Sequence, residues 1–218
     1  MIRQLRVGSM DAGQRRFSRE MTRGAGSSIL FALSIERGRM DRPFLRAAYD
    51  REAATYDAHF LALQWPKFDA FIGSAGAHIA GLEKVLDVGC GTGLLARYLV
   101  ERATPPPTLV GIDFSREMLR QGRGRPTLPV QADMEALPFR DGTFDAVVSI
   151  TAFRVIPADE RLILAEMARV LRPGGALILS LLRQKDDANL VHLLGAAGFD
   201  VQARLEAGQD VGYRARRR

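Results

Sequence analysis

The sequence predicts an α/β chain: a mainly parallel sheet with helices on both faces. Three observations carry this. Short apolar runs alternate with stretches of helical period from Lys84 onward. One of those runs, Val85–Val88, leads straight into a glycine cluster and then a helix. The helices between strands are about ten residues long, which requires crossovers and therefore parallel neighbours. A chain of 218 residues fits one large domain, or one domain with an appendage. With 47% hydrophobic and 26% charged residues, disordered, fibrous and collagen-like classes are excluded.

Residues 1–42 show no sustained period, and Gly24–Ser28 interrupts them. They read as a basic, disordered leader, or as sequence upstream of a true start at Met40. From Phe44 the apolar positions recur every three to four residues as far as Leu61, predicting one amphipathic helix, and Pro66 opens a second to about Ala80. Residues 43–81 are thus a helical lid before a core at 82–218. The core reads as strand Lys84–Val88, helix Leu94–Arg102, strand Leu109–Ile112, helix Ser115–Gly122, strand Thr127–Gln131 and strand Phe144–Ile150. Helix Ala158–Leu171, strand Ala176–Leu182 and helix Ala188–Ala197 follow, and strands Asp200–Glu206 and Asp210–Arg216 close the chain as a hairpin.

The net charge of +6 is unevenly spread: residues 1–42 carry +5 and the Arg214–Arg218 tail +4, leaving −3 for residues 43–213. A body of that sign argues against nucleic acid as a partner. No stretch approaches the roughly 20 uncharged apolar residues of a membrane span. The single cysteine, Cys90, excludes an internal disulfide and a cysteine-based zinc site, so no metal is expected and the cytoplasm is the expected location.

The chemistry concentrates at three strand ends. Asp87 precedes Gly89–Cys90–Gly91–Thr92–Gly93, a turn whose glycines let a ligand approach the backbone and whose following helix offers amide donors. Its G-x-G-x-G spacing, with a carboxylate just before it, suits a cationic ligand better than a pyrophosphate. Asp113 ends the second strand, where a carboxylate accepts from ribose hydroxyls. Asp133 and Met134 follow the third, where an adenine amino group and ring would lie. Taken singly, each acid is a common cap or turn residue; three at successive strand ends form a ligand site.

These stretches resemble the class I S-adenosylmethionine-dependent methyltransferases, and within them the small-molecule group related to ubiquinone and menaquinone biosynthesis enzymes (methyltransferase type 11). The resemblance rests on LDVGCGTG at 86–93, GIDFSREML at 111–119, QADMEALPF at 131–139, FDAVVS at 144–149 and ARVLRPGGALILS at 168–180, and on Tyr49–Asp50 and Tyr56–Asp57 ahead of them. It implies a Rossmann-like sheet of seven strands in the order 3-2-1-4-5-7-6 with strand seven antiparallel. It also implies S-adenosyl-L-methionine as cofactor and a small-molecule acceptor. By motif position, Asp87, Gly89, Cys90, Gly91 and Gly93 would hold the methionine part. Asp113 would bind the ribose, Phe114 and Met118 would pack on the adenosine, Asp133 and Met134 would bind the adenine, and backbone from Ser149 to Thr151 would close the site. Methylation at oxygen, nitrogen or carbon is open; an RNA or protein methyltransferase and a non-catalytic cofactor-binding partner are the rival readings.

A base is optional in methyl transfer, since the driving force resides in the cofactor. Should a proton need removing, Tyr56 and His59, three apart on the leader helix, are the candidates, with Tyr49 and Glu135 behind them. Many small-molecule members carry a polar residue and a histidine pair after strand four; this chain has Ile150–Ile156 there. The acceptor pocket is then expected between the leader helices and the Phe153–Pro157 loop, and Cys90 is read as a packing residue.

Overall fold

The computed structural model describes residues 41–73, 82–102, 106–155 and 157–218, and Asp41–Arg218 form one compact unit. The expected leader and the alternative start at Met40 lie outside the described residues, apart from Asp41 and Arg42. Helix α1 spans Arg42–Glu52, with the Asp41 carboxylate accepting from the Phe44 amide at 2.9 Å and a proline in the first turn. Helix α2 spans Tyr56–Phe68.

The break between these helices falls at Ala53–Thr55, earlier than the sequence suggests, and Pro66 lies inside α2 instead of opening a new helix. The Thr55 amide and hydroxyl both donate to the Glu52 carbonyl, at 3.0 and 3.4 Å, and so replace the helical ladder there. A three-residue turn barely disturbs a three-to-four-residue period, which is why the pattern concealed it. Downstream of Pro66, α2 passes into a π-helical turn, Asp69–Gly73.

The core elements are β1 (Lys84–Val88), α3 (Leu94–Arg102), β2 (Thr108–Asp113), α4 (Arg116–Gln121), β3 (Leu128–Gln131), β4 (Phe144–Ser149), α5 (Glu160–Val170), β5 (Leu171–Leu182), α6 (Asn189–Ala196), β6 (Phe199–Ala207) and β7 (Asp210–Arg217). Among the described residues they form a seven-stranded sheet in the order β3-β2-β1-β4-β5-β7-β6. β7 runs antiparallel to β5 and β6, and the other pairs are parallel. Both the order and the antiparallel strand agree with expectation. One core boundary differs by more than two residues: β5 begins at Leu171, not Ala176. Leu171 is fully buried opposite Phe144, and the register slips before Ala146 meets Ala176, so Arg172–Gly175 is a bulge within the strand.

Two apolar layers flank the sheet. On one face α5 and α6 pack Ile163, Leu164, Met167, Leu190 and Leu194 against Leu86, Val147, Leu177 and Leu179. On the other, Phe68, Phe71 and Ile72 from the end of α2 and the π turn join Leu95, Tyr98 and Leu99 of α3 over Val85, Val148 and Ile178. Each such side chain contributes about 1.5–3 kcal/mol when fully buried. The lid helices are therefore continuous with the core at their C-terminal end. No helix among the described residues is long and apolar enough to cross a membrane.

Candidate functional site

A cavity of ≈ 670 Å³ opens at the carboxyl ends of the parallel strands, where open α/β sheets bind ligands. Its floor comes from the turns after β1, β2, β3 and β4, and its roof from α1 together with Tyr56 of α2. The glycine turn after β1 folds over the end of β2: the Gly89 and Cys90 amides both donate to the Ile112 carbonyl at 2.9 Å. Gly91, at φ +54°, has no atom within 4 Å of where a Cβ would sit, so it leaves the cavity side open to a ligand. Gly89 is glycine for another reason. A Cβ there would lie 2.3 Å from that of Ala152, so the loop after β4 packs directly on the turn.

The Asp113 carboxylate sits at the centre of this arrangement, accepting from the Gly91 amide and the Ser115 amide at 2.8 Å each. Burial raises its pKa to about 6, against the pull of those two bonds. Asp87 is 4% exposed and its carboxyl makes no hydrogen bond among the described residues. Burial first, and the neighbouring Asp113 second, push its pKa up to about 8. Two adjacent carboxyl groups, both reluctant to ionise, create a place where a positive charge is favourable.

Of the residues picked from the sequence, Gly89, Gly91, Asp113, Phe114, Met118, Asp133 and Met134 line the cavity, as do Tyr49 and Tyr56. Asp87, Cys90, Gly93, Ser149 and His59 are not in the wall. Ser149 is fully buried and donates to the Val88 carbonyl at 2.9 Å, tying β4 to β1. Cys90 fills the space above Gly111, whose Cβ would come within 2.8 Å of its sulfur. Tyr56 and His59 do not share a working face: His59 Nδ1 turns to the Glu52 carboxylate at 3.7 Å, while Tyr56 stacks on Phe60 at the cavity. Burial, and then Asp113, hold the Tyr56 phenol well above its usual range, so it is a hydrogen-bonding group here and not a ready base. In the loop after β4 it is Ile150, Thr151, Ala152 and Val155 that reach the cavity, whereas Phe153 is fully buried in the core.

Sequence reasoning missed the polar contacts that fasten the lid. Arg42 donates to Asp133 at 2.8 Å, to Glu135, and to the Pro157 carbonyl at 3.1 Å. Asp50 accepts from the Ser115 hydroxyl at 2.5 Å, and Asp57 from the Thr92 hydroxyl at 2.6 Å and from Arg125. Lys67 reaches Thr151 and Asp210. Asp50 and Asp57 each follow a tyrosine in a repeated Tyr-Asp pair, a signal in plain view; Arg42 was hidden by being counted with the leader. The Arg42 contact also means that Asp133 meets any ligand as half of an ion pair.

Residues 86–179 match the family model described as a methyltransferase domain. This stretch of the chain is similar to a methyltransferase domain. The chain is 37% identical over 147 residues to a malonyl-[acyl-carrier protein] O-methyltransferase of Geobacter sulfurreducens, covering 65% of this chain and 54% of the relative. It is 35% identical over 147 residues to a demethylmenaquinone methyltransferase of Symbiobacterium thermophilum, covering 62% and 57%. The chain thus spans little more than half the length of these curated relatives. A solved SAM-dependent methyltransferase of Thermotoga maritima superposes with a TM-score of 0.62 at 20% identity, covering 78% of this chain and 98% of that one, which shows the fold. S-adenosylmethionine, the cofactor named for that solved neighbour, carries a sulfonium and an ammonium. The site fits a ligand with that sulfonium and ammonium: Asp87 is a buried carboxyl without a hydrogen bond beside a second carboxylate, at a turn whose open glycine leaves the backbone accessible.

Proposed function

We propose that this chain is an S-adenosylmethionine-dependent methyltransferase acting on a small or medium-sized acceptor at oxygen, nitrogen or carbon. The observation that carries the reading is the buried Asp113 carboxylate, which lines the cavity and holds the amide of left-handed Gly91, with the buried Asp87 carboxyl near the end of β1 behind the wall. The cofactor, when bound, supplies an activated methyl group whose transfer is an in-line displacement, so the protein's task is position and exclusion of water. Asp87 and the Gly89–Gly93 turn hold the methionine part. Each Asp113 oxygen retains a lone pair for a ribose hydroxyl beyond the amide it already accepts. Phe114, Met118 and Met134 pack along the adenosine, and Asp133, braced by Arg42, faces the adenine amino group.

The acceptor then lies toward Tyr56, Ile150, Thr151, Ala152 and Val155, a mostly apolar wall to which Tyr56 brings a hydroxyl group. Similarity to enzymes named for menaquinone and malonyl-carrier substrates supports a small-molecule acceptor. Tyr56 contributes a hydrogen bond to the acceptor, which suits a nucleophile that sheds its proton without a dedicated base. Calorimetric titration of the purified chain with S-adenosylmethionine, S-adenosylhomocysteine and NADH tests this: the first two bind in the micromolar range and NADH does not. Binding of NADH, or no binding of either sulfur compound by folded protein, overturns the reading.

A further inference from the structure

A second polar cluster lies beneath the cavity wall. Thr151 lines the cavity at φ +59°, in the left-handed region that a β-branched residue rarely enters. Its amide donates to the Ser180 carbonyl at 3.2 Å and to the Ser180 hydroxyl at 3.0 Å. Its own hydroxyl donates to Asp210 at 2.6 Å and accepts from the Lys67 ammonium at 2.9 Å. Asp210 is completely buried; it also accepts from the Ser180 hydroxyl at 3.1 Å and pairs with Lys67 at 3.0 Å. Four elements meet here: Lys67 is in the last turn of α2, Thr151 lies just past β4, Ser180 is in β5, and Asp210 begins β7.

Stability alone does not account for this choice of residues. A buried ion pair gains little over a well-packed apolar pair of similar volume. Glycine would hold the same backbone at position 151 without any side-chain support. What the arrangement adds is linkage. Lys67 ties the helix that carries Tyr56 over the cavity to the residue that shapes the opposite wall. A shift of α2 therefore moves Ile150–Ala152, and displacements of about 1 Å at a reacting centre can cost about a hundredfold in rate.

We propose that Lys67, Asp210 and Thr151 form a positioning device that fixes the cavity wall after β4 and couples it to helix α2. This rests on the methyltransferase reading of the cavity. Two measurements on the full chain test it: calorimetric titration with S-adenosylhomocysteine, and hydrogen exchange of the α2 amides. Thr151→Val, which keeps the shape and loses the hydroxyl, is expected to weaken S-adenosylhomocysteine binding at least about tenfold, the scale of one lost charge-assisted bond, and to speed exchange in α2. Thr151→Ser, which keeps the hydroxyl, recovers most of that loss. The double variant Lys67→Met/Asp210→Asn removes both charges together, so no lone charge is buried, and behaves like Thr151→Val.

Wild-type affinity and wild-type α2 exchange in Thr151→Val and the double variant overturn the proposal. So does a Thr151→Ser protein as impaired as Thr151→Val, since only the missing hydroxyl should matter. If wild-type protein does not bind S-adenosylhomocysteine, the methyltransferase reading fails, and α2 exchange in the same variants still decides the coupling.

Discussion

Asp113 joins the two backbone turns that frame the cavity. One oxygen holds the Gly91 amide, and the other the Ser115 amide that starts α4. Charge-assisted bonds of this kind contribute roughly 1.5–3 kcal/mol each. Asp113→Ala therefore loosens the glycine turn and, on the proposed function, removes the ribose partner with it. Cofactor affinity should fall at least tenfold by calorimetry, with the far-ultraviolet circular dichroism of the fold retained; unchanged affinity would mean that the end of β2 does not bind the ribose. Cys90, three residues after Asp87, makes a complementary case. Burial, then Asp87 and Asp113, hold its thiol well above the usual range, so little thiolate forms. Iodoacetamide at pH 8 should leave Cys90 unmodified in the native protein and label it after unfolding in urea. Rapid native labelling would show the turn to be open.

At the level of elements, the lid helices are held by unlike means at their two ends. Helix α1 is held by polar contacts, Arg42 at its start to Asp133 and Asp50 in its last turn to Ser115. Beyond α2 the π turn sinks Phe71 completely into the core, where a Cβ on Gly212 of β7 would come within 2.5 Å of its ring. Phe71→Ala removes a large ring from a site that cannot collapse, so it should destabilise the protein by about 3–5 kcal/mol. A urea midpoint within error of wild type would mean that this turn is not part of the cooperative unit. Most of the sheet was legible in the sequence because buried strands and amphipathic helices have periods of their own. The sequence also marked the three strand-end acids, since glycine and aspartate stand out at chain turns. The Ala53–Thr55 break, the early start of β5 and the Lys67–Asp210–Thr151 cluster were not legible. Each depends on which distant residue lies opposite: Leu171 is strand because Phe144 faces it, and Asp210 matters because β7 enters the sheet beside β5. His59 illustrates the converse, for spacing put it with Tyr56 while the turn before α2 directs it to Glu52.

The charge of the cavity couples ligand binding to the stability of the whole molecule. Asp87 titrates at about 8 and Asp113 at about 6 in the folded protein, against an ordinary value of 3.8 for both. Between pH 4 and 8 the folded chain thus binds more protons than the unfolded chain, and the ligand-free protein loses stability as pH rises through that window. Asp145 and Glu166 act in the opposite sense. Hydrogen bonds from the Lys84 and Glu83 amides and from Arg172 lower the first, and Arg169 lowers the second, so their contribution is lost only as pH falls below the usual carboxylate range. A cationic ligand reverses the trend at the cavity, because it favours the ionised carboxylates. S-adenosylmethionine should then bind more tightly from pH 6 to pH 8, by at most about tenfold per unit, and release protons as it binds. Thermal unfolding at pH 6, 7 and 8 with and without S-adenosylmethionine should show a falling midpoint for the free protein and a growing ligand-induced rise. Calorimetry in two buffers of different ionisation enthalpy counts the protons. A midpoint independent of pH, together with no proton release, would mean that Asp87 and Asp113 are already ionised in the free protein and that the cavity is not tuned for a cation.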